Sequence, residues 1–151
     1  MSLTSKIQMG SMLMCNWQDK IVTKRDGRRI ELPHNVFQDA CKIIWQSAQQ
    51  KRLISYSDVE KQLKRLGHRK INRGTIGDIV GEVSAQVSQV TNPSIYPSAI
   101  VVHKGNKSIG VGFWGVDTGT NPPSEVSPNQ QKDALPQYQN DVFNKPWDCN
   151  C

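Results

Sequence analysis

The chain has no long hydrophobic run. No stretch approaches the roughly 20 consecutive apolar residues that a membrane-spanning helix needs, which excludes a spanning segment from the reading. Apolar residues are scarce altogether, at 36% of 151 residues, so the core must be small and its appendages polar. The first residues are polar and lack the apolar stretch of a secretory leader. Histidine is rare, and His34, His68 and His103 stand too far apart to share a ligand spacing. The cysteines Cys15, Cys41, Cys149 and Cys151 form no metal signature, because Cys149-Asn150-Cys151 is too tightly spaced and faces no second pair. No metal and no cofactor is expected. Cys41 falls on the apolar face of a helix and reads as a packed thiol, which fits a reducing, cytoplasmic setting. Also missing are a paired-carboxylate motif, a phosphate-binding glycine loop, a dinucleotide fingerprint and a Gly-x-Ser-x-Gly elbow. Ser98 and His103 have no acid in view to orient them. An enzyme is therefore not expected.

Positive charge is present, and it is concentrated. Between Lys51 and Arg73 stand Lys51, Arg52, Lys61, Lys64, Arg65, Arg69, Lys70 and Arg73, against Asp58 and Glu60. Eight minus two gives +6, equal to the formal net charge of the whole chain. After Trp114, two lysines face five acids, so that part carries 2 − 5 = −3. A basic stripe with an acidic tail is the footprint of a polyanion binder. The bland alternative is a well-solvated helix face.

Element signals give the stripe a context. Residues 1–16 read as a flexible polar leader, and Trp17 as the first buried residue. Lys20 to Leu32 alternates β-branched and charged residues around Asp26-Gly27, the signature of a hairpin with a type I′ turn. After Pro33, Asn35 can cap a helix running to about Gln50, with Val36, Phe37, Ala40, Cys41, Ile43, Ile44, Trp45 and Ala48 at core spacing. Ser57 and Glu60 form a capping box for a second helix, which turns Val59, Leu63 and Leu66 inward and ends at Gly67. A basic turn follows. A third helix from Thr75 to about Ser88 places Ile76, Ile79, Val80, Val83 and Val87 on one face, and Gly77 with Gly81 would admit another backbone. Thr91-Asn92-Pro93 stops it. Ala99–Val102, a turn at Gly105-Asn106 and a return over Ile109–Trp114 read as a second hairpin. Helix, basic turn, helix, hairpin is the order of a winged helix-turn-helix. The expected fold is α+β, a small, mainly helical core over residues 17–114 with a hairpin at each end. From 115 to 151 the chain reads as a disordered or surface-draped tail. Val142, Phe143 and Trp147 near its end would either tuck onto the core or dock on another protein.

The stretch from Leu53 to Trp114 resembles a known family. Ile54-Ser55-Tyr56-Ser57-Asp58-Val59 is similar to the Ser-Tyr-Gly-Asp entry of the DNA alkylguanine alkyltransferases and their alkyltransferase-like relatives. Arg73 with Ile76-Gly77 resembles the Arg-Ala-Val-Gly start of that family's recognition helix, and Asn92-Pro93 resembles its Asn-Pro stop. Pro97-Ser98-Ala99-Ile100-Val101-Val102 lies where the family has Pro-Cys-His-Arg-Val-Val. The likeness covers about residues 36–114 and rests on order and spacing more than on identity. It implies a winged-helix DNA-binding domain in which Tyr56 meets a phosphate beside an extruded nucleotide and Arg73 fills the gap in the stack. Gly74 and Thr75 intervene before Ile76, so Asn72 or Thr75 could hold that role instead. The departures fall on the chemistry. Ser98 stands for the reactive cysteine, Ala99 for the histidine and Ile100 for the arginine, and an unactivated hydroxyl does not replace an activated thiolate.

The reading that results is a non-enzymatic, alkyltransferase-like module for double-stranded DNA. Tyr56, Lys64, Arg65, His68, Arg69, Lys70, Asn72, Arg73 and Thr75 are the expected contacts, within a basic segment from Arg52 to Arg73, and Ser98 is a pocket candidate. The alternative is a small protein-interaction factor, such as a phage or bacterial accessory, inhibitor or assembly protein, docking through its basic loop and C-terminal tail.

Overall fold

The computed structural model describes residues 15–116 and 119–150. Most of the expected leader lies outside them. Strands β1 (Lys20–Thr23) and β2 (Arg29–Leu32) form an antiparallel hairpin in the register Lys20↔Leu32 and Val22↔Ile30. Its turn differs from the expected type I′. Gly27 N–H donates to Lys24 C=O at 2.9 Å, Lys24 N–H donates to Arg28 C=O at 2.8 Å, and Gly27 has φ +87° while Asp26 does not enter the left-handed region. This is a three-residue loop closed by a glycine in αL, which needs only one positive φ.

Helix α1 (His34–Gln49) buries Val36, Phe37, Ala40, Cys41, Ile43, Ile44 and Ala48, the face its spacing predicts. Its start lies two residues earlier than an Asn35 cap requires. Asp19 takes the capping role from outside the helix, accepting from His34 N–H at 2.6 Å. Helix α2 (Tyr56–Arg65) also starts early. Ser55, not Ser57, is the N-cap, and its hydroxyl accepts from Asp58 N–H at 3.1 Å. The shift follows from β3 (Ile54–Ser55), which pairs in parallel with β4 (Val101–Val102) and fixes Ser55 in extended backbone. At the far end Gly67 has φ +102°, its N–H donates to Lys64 C=O, and His68 N–H donates to Leu63 C=O. That pattern is a Schellman cap. It leaves Leu66 59% exposed rather than inward, because the chain departs the helix axis there.

Helix α3 (Arg73–Val90) buries Ile76, Ile79, Val80, Val83 and Val87, and it packs against α1 and α2. No backbone approaches Gly77 or Gly81, where an added Cβ would meet nothing within 4 Å. The expected close approach at that pair does not occur.

The expected C-terminal hairpin is reduced to one bridge, Val102↔Ile109. Pro97–Ile100 and Val111–Gly115 are 3₁₀ turns. The aromatic packing gives the reason. Consecutive residues Phe113 and Trp114 both set their rings edge-on to Tyr138, at 5.5 and 6.1 Å. A strand would send neighbours to opposite faces.

The segment after Trp114 differs most from expectation. Helix α4 (Gln131–Asn144) docks on the 97–100 turn and on α1, with Val142 fully buried. Cys41 is no free thiol; it is bonded to Cys149, with Cα atoms 5.8 Å apart. Cys15 is disulfide-bonded as well. Trp17 Nε1 donates to Cys149 C=O, Trp45 Nε1 to Trp147 C=O, and Trp147 Nε1 to Val142 C=O, at 3.1, 2.8 and 2.9 Å. Three indoles thus hold one short length of main chain. An acidic, Pro- and Gln-rich composition predicts no such order, because the anchoring comes from residues more than 100 positions away. Among the described residues no helix is long and apolar enough to cross a membrane.

Candidate functional site

A cavity of about 640 Å³ opens beside the N-terminal half of α3. Five parts of the chain build it. α3 contributes Ile76, Gly77, Val80 and Gly81; the start of α2 contributes Tyr56 and Ser57; the 97–100 turn contributes Ser98; and the segment after β4 contributes His103, Lys104, Gly110, Gly112 and Phe113. The floor is apolar, since Ile76, Val80 and Phe113 are buried. The N-terminal hairpin adds Lys24, and the lining also includes Arg73 and the acid Asp78, which Lys24 engages at 2.6 Å. A chamber with an apolar floor and polar walls of mixed charge suits a planar ring with polar edges.

The glycines acquire a reason here. Side chains at positions 77 and 81 would project into the open space that the cavity occupies. Gly110 has a different role. A Cβ there would collide with Tyr56 Oη, so the glycine lets Tyr56 lie flat under the 103–110 loop. Tyr56 stacks on His103 with ring centroids 5.0 Å apart. Burial raises the Tyr56 phenol above its ordinary value, opposed by a hydrogen bond with the Gly110 backbone. The hydroxyl is therefore neutral at neutral pH and available as a donor.

Ser98 is 4% exposed and lines the cavity. Its hydroxyl donates to Ser84 Oγ at 2.8 Å, and its N–H points to the same atom at 3.2 Å. The hydroxyl proton is thus held by a neutral partner, not by a base that could take it. This arrangement leaves the Ser98 oxygen to accept a hydrogen bond.

The remaining sequence-predicted contacts divide. Arg65, Arg69, Lys70, Asn72 and Arg73 are exposed, and the four cations among them form no ion pair among the described residues. Lys64 is exposed but paired with Glu60 at 2.9 Å. Two others are not available to a ligand. His68 Nε2 lies 2.7 Å from Asp39 Oδ2, and its side chain is 10% exposed, so it pins the basic turn to α1. Thr75 is 0% exposed. Its hydroxyl accepts from Asn72 N–H at 3.1 Å and donates to Asn72 C=O at 2.8 Å. The polar character of Thr75 thus serves the start of α3, and Asn72 with Arg73 remain as the exposed residues of that start.

Sequence reasoning missed Lys24, Ser84 and Lys104. Lys24 comes from the N-terminal hairpin, nearly 50 residues before the basic turn, and no local pattern ties the two together. The Gly77/Gly81 pair was a usable signal read in the wrong sense.

No protein-family model, no curated protein and no solved structure matches the chain.

Proposed function

We propose that the chain is a DNA-binding module that accommodates one extruded nucleotide and does not alter it. The observation that carries this reading is the position of the cavity. Arg73, Asn72 and the exposed cations of the 64–73 turn flank the same helix end that forms its wall. Phosphates would lie against the turn, and a base leaving the stack would enter between α3 and the Tyr56–His103 pair. In this reading Arg73 occupies the vacated space, Tyr56 donates to the flanking phosphate, and Ser98 accepts from the base edge. An alkyltransferase-like, winged-helix ancestry belongs to the same proposal. The absence of transfer chemistry follows from Ser98, whose hydroxyl faces another serine rather than a base.

The alternative reading, a factor docking on a protein through its basic loop and C-terminal tail, has less support from the tail, where Phe143 alone of Val142, Phe143 and Trp147 is part-exposed. Val142 and Trp147 are buried within the chain. A DNA partner implies a cytoplasmic or equivalent setting, where disulfides are disfavoured. The Cys41–Cys149 bond is shielded, since Cys41 is 0% and Cys149 9% exposed and a reductant must first open the tail to reach it, whereas the disulfide-bonded Cys15 is only half-buried.

The test is a titration with duplex DNA, intact or carrying a mismatched pair, across a range of salt. Affinity should fall steeply with salt and be higher for the mismatched duplex, whose base is easier to extrude. The Arg69→Ala, Lys70→Ala, Arg73→Ala variant should lower the log–log salt slope by about 3 × 0.9 if each cation neutralises one phosphate. No binding at low salt would refute the proposal.

A further inference from the structure

The N-terminal hairpin has no role in the reading above, yet it is bound to the helix that forms the cavity wall. Strand β1 lies along α3 and runs against it. Lys20 Nζ reaches Glu82 at 2.8 Å, and Lys24 Nζ reaches Asp78 at 2.6 Å as well as the carbonyl of Gly74. A strand advances about 3.3 Å per residue against about 1.5 Å for a helix. By Lys24, therefore, the strand has already arrived at the first turn of α3. The residues that follow, Arg25 to Gly27, form the loop beyond that end.

The chemistry of this tip is one-sided. From Lys24 to Arg29 there are four cations and one acid, a sum of 4 − 1 = +3. The acid, Asp26, is held by Arg28, whose Nε lies 2.7 Å from Asp26 Oδ2. The Arg28 N–H, and after it the Arg28 guanidinium, keep the Asp26 carboxyl below its ordinary value. Arg25 and Arg29 are exposed and form no ion pair among the described residues. The loop has fixed geometry, closed by two backbone hydrogen bonds and Gly27 in αL. Cations on a hairpin of fixed geometry are presented at lower entropic cost than on a free tail.

The hairpin also changes what α3 presents. Between Arg73 and Val90 the helix carries one cation and two acids, 1 − 2 = −1, and both acids, Asp78 and Glu82, would repel a phosphate backbone. Lys20 and Lys24 pair with these two acids and bring the local sum to −1 + 2 = +1. A helix that would repel DNA along its flank becomes compatible with it only when the hairpin is in place.

From these contacts we infer that the β1–β2 hairpin is a second DNA-contacting arm, which meets the phosphate backbone through Arg25 and Arg29 at its tip. The inference rests on the DNA reading proposed above, and goes beyond it by assigning a surface outside the helix–turn–helix.

The experiment uses the full chain and a mixed-sequence duplex, titrated between about 50 and 200 mM salt. The variants are Arg25→Ala, Arg29→Ala; Arg25→Lys, Arg29→Lys; and Arg69→Ala, Lys70→Ala, Arg73→Ala. The alanine pair should lower the salt slope by about 2 × 0.9 and weaken binding on the order of tenfold at the low-salt end. Its melting temperature should not move, because neither guanidinium holds a partner. The lysine pair, with charge retained, should keep the wild-type slope. If the alanine pair binds as the wild type does while the turn variant is weakened, the hairpin inference is overturned and the DNA reading stands. A lysine pair as weak as the alanine pair would also overturn it, since the loss would then not be one of charge. If the wild type shows no salt-dependent binding, both readings fail.

Discussion

Replacing Gly77 and Gly81 with alanine should stabilise the fold and impair the site at once. Both glycines lie inside α3, where glycine is about 1 kcal/mol less favourable than alanine. The new methyl groups would meet nothing within 4 Å, so no packing penalty opposes the gain. Two substitutions then add about 2 kcal/mol, which for a chain of this size raises Tm by roughly 4–8 °C. Thermal unfolding followed by circular dichroism reads this directly. The same methyls enter the cavity that these glycines line. Affinity for a duplex with an extrudable base should therefore drop towards that for intact duplex, while the salt slope, set by cations elsewhere, should be unchanged. A fall in Tm would refute the reasoning, because it would mean that the glycines are there to admit a close neighbour. A rise in Tm with the mismatch preference intact would place the nucleotide somewhere else.

Other perturbations separate the parts of the structure. Gly110→Ala should displace Tyr56 from His103 and weaken binding of mismatched duplex several-fold, whereas Tyr56→Phe, which keeps the ring, should lose only the hydroxyl contact; equal effects from both would contradict the steric role of Gly110. Breaking the Cys41–Cys149 bond by paired alanine substitution releases a loop with a sequence separation of 108; chain entropy puts the loss at up to about 4.7 kcal/mol, visible in a denaturant titration. Asp19 is held below its ordinary carboxyl value, first by the His34 N–H and then by the His34 ring. A depressed folded value means that its contribution is present above the unfolded value and disappears as pH falls through the folded one. Asp19→Asn should therefore melt below the wild type at neutral pH, and the gap should close in the acid range.

The parts of this fold that were legible in the sequence are those fixed by neighbours within a turn or two. The buried faces of α1 and α3, the glycine cap after α2 and the N-terminal hairpin all follow from spacings of two, three and four residues. Two kinds of feature escaped. Helix starts moved where a distant partner took the capping role, as Asp19 does for α1 and β4 pairing does for Ser55 at α2. The order after Trp114 was hidden because polar residues and Pro136 dilute the pattern of α4, although Leu135, Tyr138 and Val142 keep the three-and-four spacing of a packed face. Its anchors, Cys41 and the indoles of Trp17 and Trp45, lie at the other end of the chain.

The same distinction bears on the site. The basic turn was legible because charge clusters in sequence, but a charge cluster alone does not distinguish a ligand surface from a solvated one. What discriminates is the neighbourhood, and every discriminating residue is remote. Thr75 and His68 looked like contacts until Asn72 and Asp39 engaged them. Lys24 looked like ordinary hairpin charge until α3 placed it beside Asp78 and the cavity. Two acids on the exposed flank of α3 would count against a DNA surface if the helix were considered alone. Paired with Lys20 and Lys24 they become a means of fixing the hairpin to the helix. Reversing one pair tests this: Lys24→Glu should lower both Tm and DNA affinity, and adding Asp78→Lys should recover much of the stability through the swapped ion pair. Recovery of Tm without recovery of binding would locate the function of Lys24 in the cavity, whereas recovery of both would make it a positioning residue for the arm.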